Sequence, residues 1–246
     1  MIVHSIESLA TLDGEGLRYG VFLAGCPLRC LYCHNPDTWD AHCGEEKSPE
    51  QLFSKIKRYV SYFDASGGGV TFSGGEPLLQ ADEIVKLAAL LQSENINYAI
   101  DTSGCVSLTD SVKQAVLGAQ LIICDLKFCT ENDYKKYTGG SLEKVQAFLD
   151  FLCKNKKRIW LRTVVLPTVN DTRADIDNYL KIASPYLEFV EKYQLLAFHT
   201  MGFFKYDKLG LQNPCKDIPA LSPEKLNLLQ QYLNEQKENY NDKKKA

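Results

Sequence analysis

Short apolar runs alternate with amphipathic stretches along the whole chain. Residues 17–25 (LRYGVFLAG), 69–73 (GVTFS), 97–102 (NYAIDT), 120–127 (QLIICDLK), 158–166 and 189–198 read as strands. The run at 120–127 is apolar almost throughout, as expected of a parallel strand covered on both faces. Between these runs the apolar positions recur at helical spacing, which predicts helices over 48–63, 78–93, 108–117, 141–155, 171–183 and 223–239. Ser48-Pro49-Glu50 opens the first of them, with serine as N-cap and proline at the first helical position. The terminal NDKKKA reads as a solvated charge run.

Strands separated by helices imply right-handed βαβ units and a parallel sheet, hence an α/β fold. About six strands are too few to close an eight-stranded barrel, so the expectation is a partial (β/α)6 barrel of TIM type. The chain has 246 residues and shows neither a low-complexity linker nor a strong repeat, so one domain is expected across 1–246. Its C-terminal helix and tail occupy about 222–246. Polar residues gather where the strands end: Asp101-Thr102, Asp125-Leu126-Lys127, Arg162 and His199. That is the end at which parallel α/β folds build their sites.

Composition narrows the function classes. Lys+Arg 28 against Asp+Glu 31 leaves −3, with no basic excess to suit a nucleic acid. No apolar run approaches the ~20 residues of a membrane span, and the N-terminus lacks the pattern of a secretory signal. A soluble, cytoplasmic chain with no nucleic-acid or membrane partner is expected. Cysteine is the anomaly: there are nine, an odd count that argues against a disulfide framework. Cys26, Cys30 and Cys33 cluster, while Cys43, Cys105, Cys124, Cys129, Cys153 and Cys215 are scattered.

Cys26-Pro-Leu-Arg-Cys30-Leu-Tyr-Cys33-His34 sets three thiols in a C-x3-C-x2-C spacing. Three readings compete on the residues alone. Zinc would take the three thiolates with His34 or Cys43 as fourth ligand. The string Cys30-Leu-Tyr-Cys33-His34 also matches a haem-attachment motif, which leaves Cys26 without a use. A 4Fe–4S cluster held by three thiolates would keep one iron open, whereas electron carriers usually supply four cysteines.

With Tyr32 before the last cysteine, the triplet resembles the signature of the radical S-adenosylmethionine superfamily. Three strings follow one another in order: Thr11-Leu-Asp13-Gly14-Glu-Gly16-Leu-Arg18, Tyr32-Cys33-His34-Asn35-Pro36-Asp37-Thr38-Trp39, and Gly67-Gly-Gly-Val-Thr-Phe-Ser73-Gly74-Gly75-Glu76-Pro77. Together they resemble the glycyl-radical-enzyme activases, and within them the pyruvate formate-lyase activating enzymes. The resemblance implies a radical S-adenosylmethionine fold. It also implies an anaerobic [formate-C-acetyltransferase]-activating oxidoreductase of glucose metabolism. In that family a reduced cluster cleaves S-adenosylmethionine to methionine and a 5′-deoxyadenosyl radical. The radical then abstracts hydrogen from a backbone glycine of pyruvate formate-lyase or a close relative. A flavodoxin or ferredoxin donor and a monomeric enzyme are implied as well.

The resemblance also assigns residues. Cys26, Cys30 and Cys33 would ligate three irons. S-adenosylmethionine would meet Tyr32, Cys33, His34, Gly74, Gly75, Glu76, Asp125, Leu126, Lys127 and His199. Asp101, Thr102 and Asp125 match positions that hold a monovalent cation. Asp13, Arg18, His34 and Arg162 would grip the glycine-bearing peptide. Each has a plainer reading: a glycine-rich turn, a strand-end Asp–Lys pair, a hydrogen-bonded structural histidine, or a salt-bridged arginine. Leu166-Pro167-Thr168 stands where the family often has Val-Pro-Gly, and residues 200–209 (TMGFFKYDKL) are unusually aromatic. Activation of another glycyl radical enzyme, or a small-molecule radical reaction, is the nearest alternative. A non-catalytic zinc or electron-carrier protein is the alternative of another class.

Overall fold

The computed structural model describes the backbone of residues 1–245 and the side chains of residues 1–240. The side chains of the expected solvated tail therefore lie outside the described residues. The chain divides into two compact units, Met1–Leu28 with Asp37–Ile123, and Arg29–Pro36 with Cys124–Ala246.

The first unit contains β1 (Ile2–Ala10), β2 (Arg18–Leu23), β3 (Glu45–Glu46), α1 (Pro49–Ile56), α2 (Val60–Ser66), β4 (Gly69–Gly74), α3 (Ala81–Ser93), β5 (Tyr98–Thr102) and α4 (Asp110–Gly118). Strand β6 (Leu121–Asp125) passes from the first unit into the second. The second unit continues with α5 (Glu131–Thr138), α6 (Leu142–Lys154), β7 (Ile159–Val165), α7 (Arg173–Ala183), β8 (Val190–Ala197), α8 (Phe203–Lys208) and α9 (Pro223–Lys245). The strands run β3-β1-β2-β4-β5-β6 in the first unit and β6-β7-β8 in the second. The sheet is open and mostly parallel, as the α/β reading requires. Arg18 to Leu23 pair in parallel with Gly69 to Gly74, and β7 runs parallel to β8.

All six strands read from the apolar runs are present, each within two residues of the expected bounds. Strand β6 is buried on both faces, with Ile122, Ile123 and Cys124 fully inaccessible. Helix α6 buries Leu142, Val145, Phe148, Leu149 and Leu152, the stripe of an amphipathic helix. Ser48 caps α1 through a capping box with Gln51, and Pro49 holds the first helical position as expected.

Four elements were not foreseen: β1, β3, α5 and α8. Strand β1 lies antiparallel to β2 with irregular register beside Leu9, which adopts φ +63°. Such a bulge interrupts the alternation that marks a strand in sequence. Helix α5 (ENDYKKYT) buries only Tyr134 and Thr138, too little for an apolar stripe. The helix expected over 48–63 is instead α1 and α2, joined by a turn of 3-10 helix at Lys57–Tyr59.

Candidate functional site

In the first unit, β2 delivers the chain into Ala24-Gly25-Cys26, and the glycine run after β4 is laid against that exit. Gly75 N–H donates to the Leu23 carbonyl at 3.0 Å, and Glu76 N–H to the Gly25 carbonyl at 2.8 Å. A Cβ on Gly74, which has φ +118°, would lie 2.3 Å from Leu23 backbone atoms; one on Gly75 would lie 2.3 Å from the Gly25 oxygen. Both glycines are thus required by close backbone approach. Cys26 is half-buried and donates its N–H to the Trp39 carbonyl at 3.3 Å.

Glu76 is fully buried. Its Oε1 accepts from Thr102 Oγ1 at 2.7 Å and Leu78 N–H at 3.2 Å. Its Oε2 accepts from Ser103 N–H at 2.9 Å and Ser103 Oγ at 2.5 Å. The carboxylate so ties the end of β4 to the end of β5. Burial raises its pKa, and the four hydrogen bonds work against that rise. Beside it, Ser73 Oγ donates to Asp101 Oδ2 at 3.0 Å.

Arg18 is 2 % exposed. Its Nε donates to Thr71 Oγ1 at 3.0 Å, Nη1 to Asn97 Oδ1 at 2.9 Å and Nη2 to the Val70 carbonyl at 2.5 Å. Thr71 Oγ1 in turn donates to the Asp13 carbonyl at 2.7 Å. Burial pulls the Arg18 pKa down to about 10, against the fields of Glu15 and Asp13. The guanidinium is spent on ordering residues 13–18 against β4, a different use from the peptide grip that the resemblance implied.

The second unit gathers Cys30, Tyr32, Cys33, His34, Asp125, Lys127 and His199. Lys127 Nζ binds Asp125 Oδ2 at 2.6 Å. Burial opposes its charge, yet the Asp125 carboxylate holds the ammonium ionised well above the usual lysine range. Burial pushes the Cys30 thiol up to about 11, with Lys127 pulling the other way. Leu126 is fully buried; its N–H donates to the Arg162 carbonyl at 2.9 Å, and its carbonyl accepts from Thr163 Oγ1 at 2.7 Å. Arg162 itself is 7 % exposed, within β7.

His34 and His199 stack at 3.8 Å and 13°, and His34 Nε2 lies 2.9 Å from the His199 carbonyl, to which its N–H donates. Burial and the neighbouring imidazole depress the His34 pKa, so this ring is neutral at pH 7.

The aromatic segment noted after β8 closes on this cysteine segment, a role that sequence reasoning missed. Tyr206 Oη donates to the Cys33 carbonyl at 3.0 Å, Lys205 Nζ to Asn35 Oδ1 at 2.8 Å, and Cys215 Sγ to the Leu31 carbonyl at 3.4 Å. A Cβ on Gly202 would lie 2.7 Å from the His34 oxygen. The aromatic surplus in TMGFFKYDKL was the available signal. All nine cysteines are free thiols.

Among the described residues no three His, Cys, Asp or Glu side chains are gathered to hold a single metal ion. Cluster thiolates bind separate irons and need no such convergence on one ion. The residues fit a cluster with a polar ligand: three thiols lie on one short segment. Beside it, Tyr32 Oη and His199 Nδ1 are buried without hydrogen-bond partners, a capacity that folded proteins seldom leave unused.

Comparison with known proteins agrees with this chemistry. A family model described as a 4Fe-4S single cluster domain matches residues 12–149. The pyruvate formate-lyase-activating enzyme of Clostridium pasteurianum is 40% identical over 233 residues, covering 95% of this chain and 97% of that protein. Its namesake from Staphylococcus aureus is 37% identical over 238 residues, 94% of each chain. A radical SAM methyltransferase from Sphaerobacter thermophilus shares the fold with TM-score 0.64 at 14% identity, covering 94% of this chain and 74% of that one. An open α/β sheet whose first parallel strand leads into a C-x3-C-x2-C segment, inside a single-cluster domain, defines a radical S-adenosylmethionine enzyme. With relatives this similar along almost its entire length, the chain belongs to the pyruvate formate-lyase-activating enzyme family.

Proposed function

We propose that this protein activates pyruvate formate-lyase, or a near relative among glycyl radical enzymes, under anaerobic conditions. The observation that carries this reading is the Cys26–Cys30–Cys33 spacing within a chain matching activating enzymes over 95% of its length. Cys26, Cys30 and Cys33 would hold a 4Fe–4S cluster, with S-adenosylmethionine bound beside it. Bound together, the two groups supply a one-electron reductive cleavage and abstraction of hydrogen from a backbone glycine.

The chain's own residues prepare that chemistry. Glu76 fixes the glycine run against the exit of β2, so that backbone carbonyls near Gly74 and Gly75 are presented to the cofactor's amino group. Lys127, held charged beside Asp125, stabilises anionic groups near Cys30. Neutral His34 and the unpaired Nδ1 of His199 offer hydrogen bonds without adding charge. Asp101 and Thr102 at the end of β5, and Asp125 at the end of β6, each carry hard oxygens of the kind a monovalent cation takes, and Asp13, His34 and Arg162 are the residues assigned to the peptide. A flavodoxin- or ferredoxin-like carrier donates the electron to a monomeric enzyme in the cytoplasm. No helix among the described residues is long and apolar enough to cross a membrane.

The test uses anaerobically reconstituted protein, reduced and mixed with S-adenosylmethionine and pyruvate formate-lyase. Wild type should release 5′-deoxyadenosine and raise a glycyl radical resonance on the partner, and Cys30→Ala should do neither. Release of 5′-deoxyadenosine with no radical on any glycyl radical enzyme would refute the assigned substrate.

A further inference from the structure

Just past β6 the chain is held by tyrosine hydroxyls. Tyr134 Oη, from α5, accepts from Lys127 N–H at 3.2 Å and donates to the Asp125 carbonyl at 3.4 Å. Tyr179 Oη, from α7, donates to the Lys127 carbonyl at 2.8 Å and accepts from Asn170 Nδ2, also at 2.8 Å. Asn170 is itself fixed: its Nδ2 reaches the Val164 carbonyl at 3.0 Å, and its Oδ1 accepts from Leu166 N–H at 2.6 Å. Tyr134, Tyr179 and Asn170 are all buried. Both polar groups of the Lys127 backbone are thus taken by tyrosines, one from each of two helices.

Helix α5 also holds the cysteine segment. Arg29 N–H donates to the Thr138 carbonyl at 2.8 Å, and Leu31 N–H to the Tyr137 carbonyl at 2.9 Å. These are carbonyls that a helix end leaves without intrahelical partners. One helix therefore fixes the residues on both sides of Cys30 and, through Tyr134, the backbone of Lys127. A lysine carries its compact charge on a flexible four-carbon stem, so the reach of the ammonium depends on where the backbone is anchored. Core filling accounts for the two aromatic rings, a service that phenylalanine would perform as well. It does not account for hydroxyls from separate helices meeting on the one residue that carries a cation beside Cys30.

We propose that Tyr134 and Tyr179, the latter set by Asn170, are positioning residues that aim the Lys127 ammonium at an anionic group of S-adenosylmethionine. The assignment rests on the cofactor reading above. Each hydroxyl spends its proton on a backbone carbonyl, so both act through Lys127 and neither is a ligand to the cofactor. They raise affinity by holding the ammonium in place before the cofactor arrives, so that less freedom is lost on binding.

The test is equilibrium binding of S-adenosylmethionine to anaerobically reconstituted holoprotein with its cluster oxidised, so that affinity is read without turnover. Tyr179→Phe leaves Asn170 its bond to the Val164 carbonyl and removes one donor from the Lys127 carbonyl. It should weaken binding about fivefold, the net worth of one hydrogen bond. Tyr134→Phe, on the other helix, should shift affinity in the same direction. In turnover the loss should fall on KM for S-adenosylmethionine and spare kcat. Tyr98→Phe is the control: its buried hydroxyl donates to the Ala115 carbonyl at 2.7 Å, the same chemical deletion with no bond to Lys127. Its affinity should match wild type. Lys127→Gln is the reference, and adding Tyr179→Phe to it should cost no further affinity. An additive loss in the double variant would overturn the proposal, as would an equal loss in Tyr98→Phe or a fall in kcat with KM unchanged. Wild-type affinity in both Tyr134→Phe and Tyr179→Phe would overturn it too, leaving the activase reading in place. A wild type that binds no S-adenosylmethionine would overturn both. Coupled losses in a protein that activates no glycyl radical enzyme would uphold the positioning role and count against the activase reading alone.

Discussion

Arg18 separates two uses of one motif residue. The string Asp13-Gly14-Glu-Gly16-Leu-Arg18 suggests a grip on the partner's peptide, yet the guanidinium is buried and bound to four acceptors, the Glu15 carbonyl among them. Arg18→Ala leaves the Val70 carbonyl, Thr71 Oγ1 and Asn97 Oδ1 without that donor. A buried group stripped of its hydrogen bond costs roughly 1–3 kcal/mol, and relief of a buried charge offsets part of the sum. The net destabilisation should be about 3–5 kcal/mol, the range for breaking a buried charged network. At roughly 2–4 °C per kcal/mol for a chain of this size, melting should fall by roughly 6–20 °C. Arg18→Lys keeps the charge but loses the fork, and should fall between the two. Anaerobic calorimetry gives the melting temperature, and titration with a glycine-loop peptide at a temperature where all three proteins are folded gives the affinity. A melting point within about 2 °C of wild type, together with much weaker peptide binding, would refute the structural role.

Thr168 is exposed and holds φ +67°, a region that costs an L-residue about 1–2 kcal/mol. Allowing for the entropy that glycine loses on folding, Thr168→Gly should stabilise by about 0.5–1 kcal/mol; a lower urea midpoint would show that the threonine side chain contributes more than the strain costs. Glu76→Gln turns an amide N–H₂ toward hydroxyl and amide donors and should cost about 1–3 kcal/mol. Burial raises the Glu76 pKa above its ordinary 4.5. Its contribution is therefore fully present below the unfolded value and is lost as pH rises through the folded one. Stability of Glu76→Gln, followed by denaturant titration from pH 4 upward, should lack that decline; an unchanged slope would assign it elsewhere. Tyr206→Phe removes the donor to the Cys33 carbonyl at a cost of about 1 kcal/mol. The reconstituted variant should surrender iron to a chelator faster than wild type with its helix content intact; equal rates would free Tyr206 of any hold on the cysteine segment.

Periodicity made the central strands and most helices legible because burial on a regular lattice leaves a regular pattern. Strand β6 is the clearest case, with no polar residue before Asp125. Helix α5 was illegible because its value is not in an apolar stripe. It serves through its terminal carbonyls, which hold the cysteine segment, and backbone acceptors carry no residue code. Strand β1 was hidden by its bulges, and the contacts of 199–215 with 31–35 depend on tertiary placement that no spacing reveals. The cysteine triplet was the opposite case. Its chemistry resides in residue type at close sequence separation, so it could be read before any fold was known.

The site strings divide by where their polar atoms are spent. Arg18, Glu76 and the Gly74-Gly75 pair look like ligand contacts in sequence, yet their side chains or their need for glycine are accounted for by the backbone they join. Asn170, which no motif singled out, does the same after β7: its Oδ1 accepts from Leu166 N–H at 2.6 Å, and its Nδ2 donates to the Val164 carbonyl at 3.0 Å. These residues shape strand ends, and a substitution among them acts first on stability. Tyr32 Oη and His199 Nδ1 differ, being buried with hydrogen-bonding capacity unspent. An unpartnered buried group is costly, so the fold bears those two at a loss that a bound polar ligand would recover. Recognition should therefore be lost most selectively on changing Tyr32 or His199, with the fold least disturbed.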